Sequence, residues 1–283
     1  MIKVNELSYT YPGAVHPVLK KISFEIQEGE IFGFLGPSGA GKSTTQKIIY
    51  KLLNGFDGTI EVNGKLLSQW GKAYFEHIGV GFELPNHYLK LTAKENLELF
   101  ASFYPKDRIL NFNQLFELVG LEASINQKVE EYSKGMKMRL NFIRAIMHNP
   151  DILFFDEPTA GLDPVNAIKI RNHIKELKKQ RKTIFITTHN MNTADELCDR
   201  VSFIVDGELQ LTDIPALLKH KHGKNIVKVE LKNGKTAEFA LDDLGANKSF
   251  VDFIQHKEIQ RINTMEATLE EVFIQITGKA LAS

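Results

Sequence analysis

One cysteine, one tryptophan and no surplus of either charge set the first limits on this 283-residue chain. The lone Cys198 excludes an intrachain disulfide and suits a reducing compartment. Lys+Arg and Asp+Glu each number 35, so the formal net charge is zero. That balance argues against a general binder of nucleic acid, which carries a basic surplus. No apolar run approaches the ~18 residues that span a bilayer, and the N-terminus has no signal-peptide pattern. The expectation is a cytoplasmic protein whose membrane role comes through a partner. Long internal repeats and low-complexity tracts are also missing. What is left is an ordinary globular composition, 43% hydrophobic and 25% charged, with length for one large core or a core plus an appendage.

Within that plain background one stretch stands out: Gly36-Pro37-Ser38-Gly39-Ala40-Gly41-Lys42-Ser43-Thr44. It fits G-x-x-x-x-G-K-[ST], and a chance match in a chain this long is on the order of one in a hundred. The flanks are those the pattern requires. Ile31 to Leu35 reads as a buried parallel strand, and Thr45 to Leu53 carries Ile48, Ile49, Leu52 and Leu53 at helical spacing. Such a loop turns its N–H groups inward at the positive end of a helix, which suits phosphate. Lys42 adds a cation for the outer phosphates and Ser43 a hydroxyl for Mg²⁺. A nucleotide triphosphate site is expected here.

Residues before the loop alternate as a half-buried antiparallel strand (Ile22, Phe24, Ile26), with Tyr11-Pro12-Gly13 in a turn. Phe56 to Val62 reads as a strand ending in an Asn63-Gly64 turn. From Leu84 to His148 the pattern becomes helical. Thr92 to Glu95 is a capping box, Leu115 to Val119 an apolar helix closed by Gly120, and Ser133 a cap for a helix bearing Met136, Leu140, Ile143 and Met147. Strand signals return at Ile152 to Phe155, Thr183 to Thr187 and Val201 to Val205, with a helix after Pro164. Beyond about Pro215 the chain changes character. Lys219 to Lys224 reads as a polar linker, and Val227 to Leu241 as a hairpin turning at Asn233-Gly234. A helix near Phe250 to Ile254, a strand at Ile259 to Ile262 and a capped helix from Thr268 follow. His220 and His222 lack the carboxylate or thiol support of a metal site, so a solvated linker is expected there.

Asp156 and Glu157 stand at the end of an apolar strand downstream of the loop. Asp156 is placed to hold Mg²⁺, directly or through water, leaving Glu157 free to orient or deprotonate an attacking water. His189 ends the next strand, where a neutral imidazole could bond the γ-phosphate or orient the water.

Taken together, over residues 1 to 215, these pieces resemble the ATP-binding cassette (ABC) ATPases that drive membrane transporters. The resemblance implies an α/β fold: a P-loop NTPase core with an antiparallel β subdomain and a helical insertion at about 85–148. A small α+β accessory domain at 216–283 completes it. Tyr11 matches the aromatic that stacks on adenine. Gly36 to Ser43 matches the Walker A loop, Ile152 to Glu157 Walker B with its glutamate, and His189 the switch histidine. Asp163, in Ala160-Gly161-Leu162-Asp163, matches the loop that crosses the dimer interface. The family's signature appears as Tyr132-Ser133-Lys134-Gly135-Met136, keeping Ser133 and Gly135. This form, and the tail at Thr268 to Gly278, resemble the exporter branch whose membrane subunits are separately encoded.

The resemblance thus implies ATP and Mg²⁺ as ligands and catalytic roles for Glu157, His189 and Lys42. It also implies a homodimer or pseudo-dimer in which Ser133, Lys134, Gly135 and Met136 complete the partner's site. A separate permease would hold the protein at the inner face of the membrane. One departure stands out: aligning Ile78-Gly79 puts Glu83 where the family usually carries Gln. An ionised Glu accepts only and adds negative charge beside the metal. Two rivals fit less well. A soluble cassette protein of ribosomes or DNA usually carries tandem cassettes or a long coiled coil. A nucleotide kinase would leave Ser133-Lys134-Gly135 unexplained.

Overall fold

The structure, a computed structural model, describes residues 1–222, 226–255, 257–265 and 267–279. Its contacts divide the chain into one unit over Met1–Thr212 and another over Asp213–Ala280.

The first unit holds two sheets. Strands β1 (Ile2–Tyr9), β2 (Leu19–Ile26), β4 (Asp57–Val62) and β5 (Lys65–Leu66) form a four-stranded antiparallel sheet in the order β2-β1-β4-β5. The turn between β4 and β5 sits on Asn63 and Gly64, both with positive φ (51° and 74°). Strands β3 (Ile31–Leu35), β6 (Ile78–Gly81), β7 (Ile152–Asp156), β8 (Thr183–Thr188), β9 (Arg200–Val205) and β10 (Glu208–Asp213) form the second sheet, ordered β10-β9-β3-β8-β7-β6. From β9 to β6 its neighbours pair in parallel. β3 and β8 are buried at nearly every position, as strands covered on both faces must be.

Phe24 of β2 joins the two sheets. Its ring lies 4.7 Å from Phe34 and 5.8 Å from Phe185, and both partners are fully buried. Each such ring contributes about 2–3 kcal/mol by leaving water, with the tilted pairing adding to it.

Helix α1 (Lys42–Ile49) follows the phosphate-loop pattern directly. It starts before Thr45 and stops short of Leu53, because Lys51 takes a positive φ of 63° that ends the helix. Helix α2 (Tyr74–His77) is a single turn before β6. Between β6 and β7 come α3 (Ala93–Ala101), α4 (Phe112–Leu118) and α5 (Lys134–Ile146). The capping box of α3 is present with both reciprocal bonds, and Ser133 caps α5 by accepting from the Met136 N–H at 3.2 Å. Helix α6 (Pro164–Lys179) connects β7 to β8, and α7 (Met191–Leu197) connects β8 to β9.

In the second unit, α8 (Pro215–His222) replaces the expected polar linker. Pro215 and Leu218 are buried, and Lys221 pairs with Asp213 at 2.7 Å, so two apolar anchors and an ion pair hold a helix whose sequence looks solvated. His220 and His222 lie on it; Gly223 and Lys224 fall outside the described residues. Strands β11 (Ile226–Leu231), β12 (Thr236–Ala240) and β13 (Ile259–Met265) form an antiparallel sheet in the order β12-β11-β13, with the hairpin turning at Asn233-Gly234. β13 runs past Ile262 because each residue has a ladder partner on β11 up to Met265, opposite Ile226. Helix α9 (Lys248–Ile254) sets Phe250 and Phe253 against Val227, Val229 and Leu231, and the capped α10 (Leu269–Thr277) closes the unit.

Candidate functional site

The carboxyl ends of β3, β7 and β8 meet at one cavity of about 320 Å³. Ser38, Gly39, Gly41, Lys42, Ser43 and Thr44 line one side of it. Gly41 takes a φ of 107° at the N-cap of α1, a backbone conformation that a side chain would strain. Gly36 and Pro37 do not line the cavity. Their carbonyl oxygens instead accept from Lys42 Nζ at 2.7 and 3.0 Å. Ala40 is buried, and its carbonyl accepts from Gly207 N at 3.2 Å, which ties the loop to the β9–β10 turn. Burial pulls the Lys42 ammonium below its usual pKa, opposed by the charges of Glu157, Asp156 and Glu83.

Those three carboxylates, with His189 and Tyr11, line the rest of the cavity. Tyr11 Oη and Thr44 Oγ1 share a hydrogen bond at 3.0 Å, so the ring is fastened to the start of α1. Thr187 Oγ1 donates to Asp156 Oδ1. Glu157 sits at a φ of 51°, its N–H donating to Thr187 O at 2.9 Å.

The Glu157 carboxylate already has partners from the neighbouring strand end. Thr188 Oγ1 donates to Oε2 at 2.8 Å, and Oε1 accepts the His189 backbone N–H at 2.7 Å and the His189 Nδ1 at 2.5 Å. The reason is local: β8 ends beside β7, so Thr188 and His189 arrive as donors next to a buried anion that needs them. His189 accordingly reaches Glu157 through one ring nitrogen and leaves Nε2 for the cavity.

Two supporting residues carried no motif. Gln46, 1% exposed, donates from Nε2 to Phe185 O at 2.9 Å and Phe155 O at 3.3 Å, fixing α1 to the ends of β7 and β8. A lone amide on the apolar side of a helix was its only signal. Thr188 had none beyond its place before His189.

The signature residues lie elsewhere: none of Ser133, Lys134, Gly135 and Met136 lines the cavity. Ser133 and Lys134 are exposed at the N-terminus of α5. The Lys134 side chain lies over Gly161, where a Cβ would stand 2.8 Å from its Cε. Asp163 caps α6, accepting from Val165 N and Asn166 N at 3.1 Å and from Asn166 Nδ2 at 2.6 Å, which holds its carboxyl below the usual range.

The residues expected to hold a metal, Ser43, Asp156 and Glu83, all line the cavity and all offer oxygen. Among the described residues no group of three His, Cys, Asp or Glu side chains is arranged to hold a metal unaided. That sparse set fits Mg²⁺, which keeps several waters and is held by one or two carboxylates plus substrate phosphates. A second, larger cleft of about 670 Å³ is mainly apolar and is lined by Phe75, Phe82, Leu84, Phe100 and Arg144 among others. Among the described residues no helix is long and apolar enough to cross a membrane.

Comparisons with known proteins agree with this geometry. The ABC transporter family profile matches residues 19–160, and a profile described as the fluoroquinolone efflux ABC transporter C-terminal domain matches residues 225–266. A fluoroquinolones export ATP-binding protein of Mycobacterium tuberculosis is 47% identical over 99% of this chain and 94% of its own length. A bacitracin transport ATP-binding protein of Bacillus licheniformis is 36% identical over 92% of this chain and 80% of its own. A solved dimeric ATP-binding cassette in a post-hydrolysis state, bound to ADP and Pi, superposes with a TM-score of 0.69 at 28% identity, covering 76% of this chain and 98% of that one. The soluble, non-transport alternative is not favoured by these relatives. Phosphate loop, strand-end acids and full-length likeness converge: the chain belongs to the ABC transporter family, as an ATP-binding and ATP-hydrolysing subunit of the export type.

Proposed function

We propose that two copies of this chain close over two ATP molecules, each held between the Lys42 loop of one copy and the Ser133–Met136 segment of the other. One observation supports this reading: the Lys42 cavity and the exposed N-terminus of α5 are separate features of the same chain, which a second copy would bring together. Tyr11 supplies a face for adenine, and the loop N–H groups with Lys42 take the phosphates. Lys42 begins in bonds to two backbone carbonyls, which a phosphate oxygen replaces. Ser43, Asp156 and Glu83 would hold Mg²⁺, which when bound neutralises charge on the phosphates. Glu157 orients or deprotonates the attacking water once closure loosens its bonds to Thr188 and His189. His189 Nε2 faces the γ-phosphate, and Asp163 lies in the loop at the dimer interface.

The accessory unit beyond residue 215 and the helical insertion at about 85–148 are the parts that adapt this motor to its partner. That partner is a separately encoded permease, which places the protein on the cytoplasmic face of the membrane. The apolar cleft suits a short helical segment of it: Leu84 is 75% exposed and Leu52 59%, both at its rim. The likeness to a fluoroquinolones export protein, C-terminal profile included, supports a drug of that type as the permease's cargo.

The test is Glu157→Gln. It should bind ATP, hydrolyse it at least ~100-fold more slowly and run as an ATP-dependent dimer on size exclusion. Wild-type turnover, or a monomer at saturating ATP, overturns the reading.

A further inference from the structure

Residues 82–86 run between the two hollows just described. Glu83 lines the nucleotide cavity, while Phe82, Leu84 and Asn86 line the apolar cleft. Helix α5 grips this loop at both ends. Asn141 Nδ2 donates to Phe82 O at 2.8 Å, and Arg144 Nη1 donates to Asn86 O at 2.7 Å. Arg144 Nη2 also donates to Asn141 Oδ1 at 2.8 Å, which fixes the amide's orientation and closes the set.

Both side chains are hidden, Asn141 2% exposed and Arg144 8%. No carboxylate among the described residues pairs with the guanidinium. It lies instead 4.7 Å from the Phe100 ring and 5.8 Å from the Phe82 ring. Burial lowers its pKa to about 10. A buried cation without an anion is costly, and an aliphatic side chain would pack there without that penalty. The charge is therefore tied to what it holds, the carbonyl of a loop that needs a fixed course.

We propose that Asn141 and Arg144 are positioning residues for ATP hydrolysis, setting where Glu83 stands relative to Lys42 and Asp156. The inference rests on the proposed function, since it assigns Glu83 to the nucleotide. Because Ser133 caps α5, the helix that presents the signature to the partner's ATP also holds the loop that bears Glu83 of its own site. A tilt of α5, or an occupant pushing on Phe82 and Leu84 in the cleft, moves both together.

The experiment is a double-mutant cycle on the full chain with Asn141→Ala, Glu83→Ala and their combination. Asn141→Ala should lower kcat about tenfold with KM and affinity for a trinitrophenyl-ATP probe unchanged within about twofold. In the Glu83→Ala background it should change kcat by less than about twofold, because the residue it positions is gone. Amide hydrogen exchange should rise across 82–86 and stay level across 36–44. Arg144→Lys, which keeps the charge and shortens the reach, should show the same dependence on Glu83. Losses that multiply in the double variant, or normal turnover in Asn141→Ala, overturn the clamp alone. A wild-type chain that does not hydrolyse ATP overturns the proposed function and this inference with it.

Discussion

His189 Nδ1 lies 2.5 Å from Glu157 Oε1, and the same carboxylate oxygen takes the His189 backbone N–H at 2.7 Å. One residue therefore donates twice to the acid proposed to act on the attacking water. An imidazole that gives its Nδ1 proton to a carboxylate offers Nε2 as an acceptor when neutral and as a donor only when charged. Bonding a phosphate oxygen through Nε2 while Nδ1 stays on Glu157 would require both ring nitrogens to donate.

Replacing His189 by Ala should therefore remove the proposed phosphate contact and a tether on Glu157 together. The expected result is a drop in kcat of ~100-fold with ATP affinity changed by no more than a few-fold, since Lys42 and the loop are untouched. Steady-state hydrolysis beside equilibrium nucleotide binding decides it. Parallel losses in both would make His189 a binding residue instead.

Two other histidines give a prediction for stability in acid. His87 and His148 are 7% and 1% exposed, each with one ring nitrogen on a backbone carbonyl (Lys137 O at 3.0 Å, Ile78 O at 2.8 Å) and the other unpartnered. Burial lowers each pKa to about 4. The unfolded chain titrates near 6.5, so between those values it binds more protons than the folded one. Stability is full above about pH 6.5 and falls as the pH drops toward 4. At pH 5 the loss is about 2 kcal/mol for each histidine. Urea unfolding at pH 7 and pH 5 measures it, and His148→Gln should remove about half the difference. An unchanged pH dependence in that variant would assign the acid sensitivity to other groups.

The sequence made the phosphate loop legible because its requirements are backbone requirements. Gly41 at a φ of 107° and Lys42 behind it cannot be exchanged for look-alikes. Caps were equally readable, as the paired bonds at Thr92 and Thr268 show. Residues whose role depends on a distant strand were not. Gln46 matters because Phe155 and Phe185, far along the chain, bring carbonyls to it. The partners of Glu157 were not legible, because Thr188 and His189 are thirty-odd residues away in the chain and adjacent only in the sheet. Helix α8 was misread for a related reason. Its cohesion comes from Pro215, Leu218 and the Lys221–Asp213 pair, while periodicity shows mainly its basic surface.

Lys134 and Gly161 give a packing prediction at the expected dimer face. A Cβ at Gly161 would lie 2.8 Å from Lys134 Cε and 3.3 Å from its Nζ, on a backbone with φ of 71°. Gly161→Ala should cost about 1 kcal/mol from the left-handed backbone, and more from displacing the lysine. The second part vanishes when the lysine is shortened. Gly161→Ala should thus cost about 0.5 kcal/mol less in a Lys134→Ala background than in the wild type. Denaturant unfolding of the four proteins measures the difference. Strictly additive costs would show that the signature and the loop before Asp163 stand independently. A coupled result would mean that the segment proposed to meet the partner's nucleotide is held in place by the loop beside it.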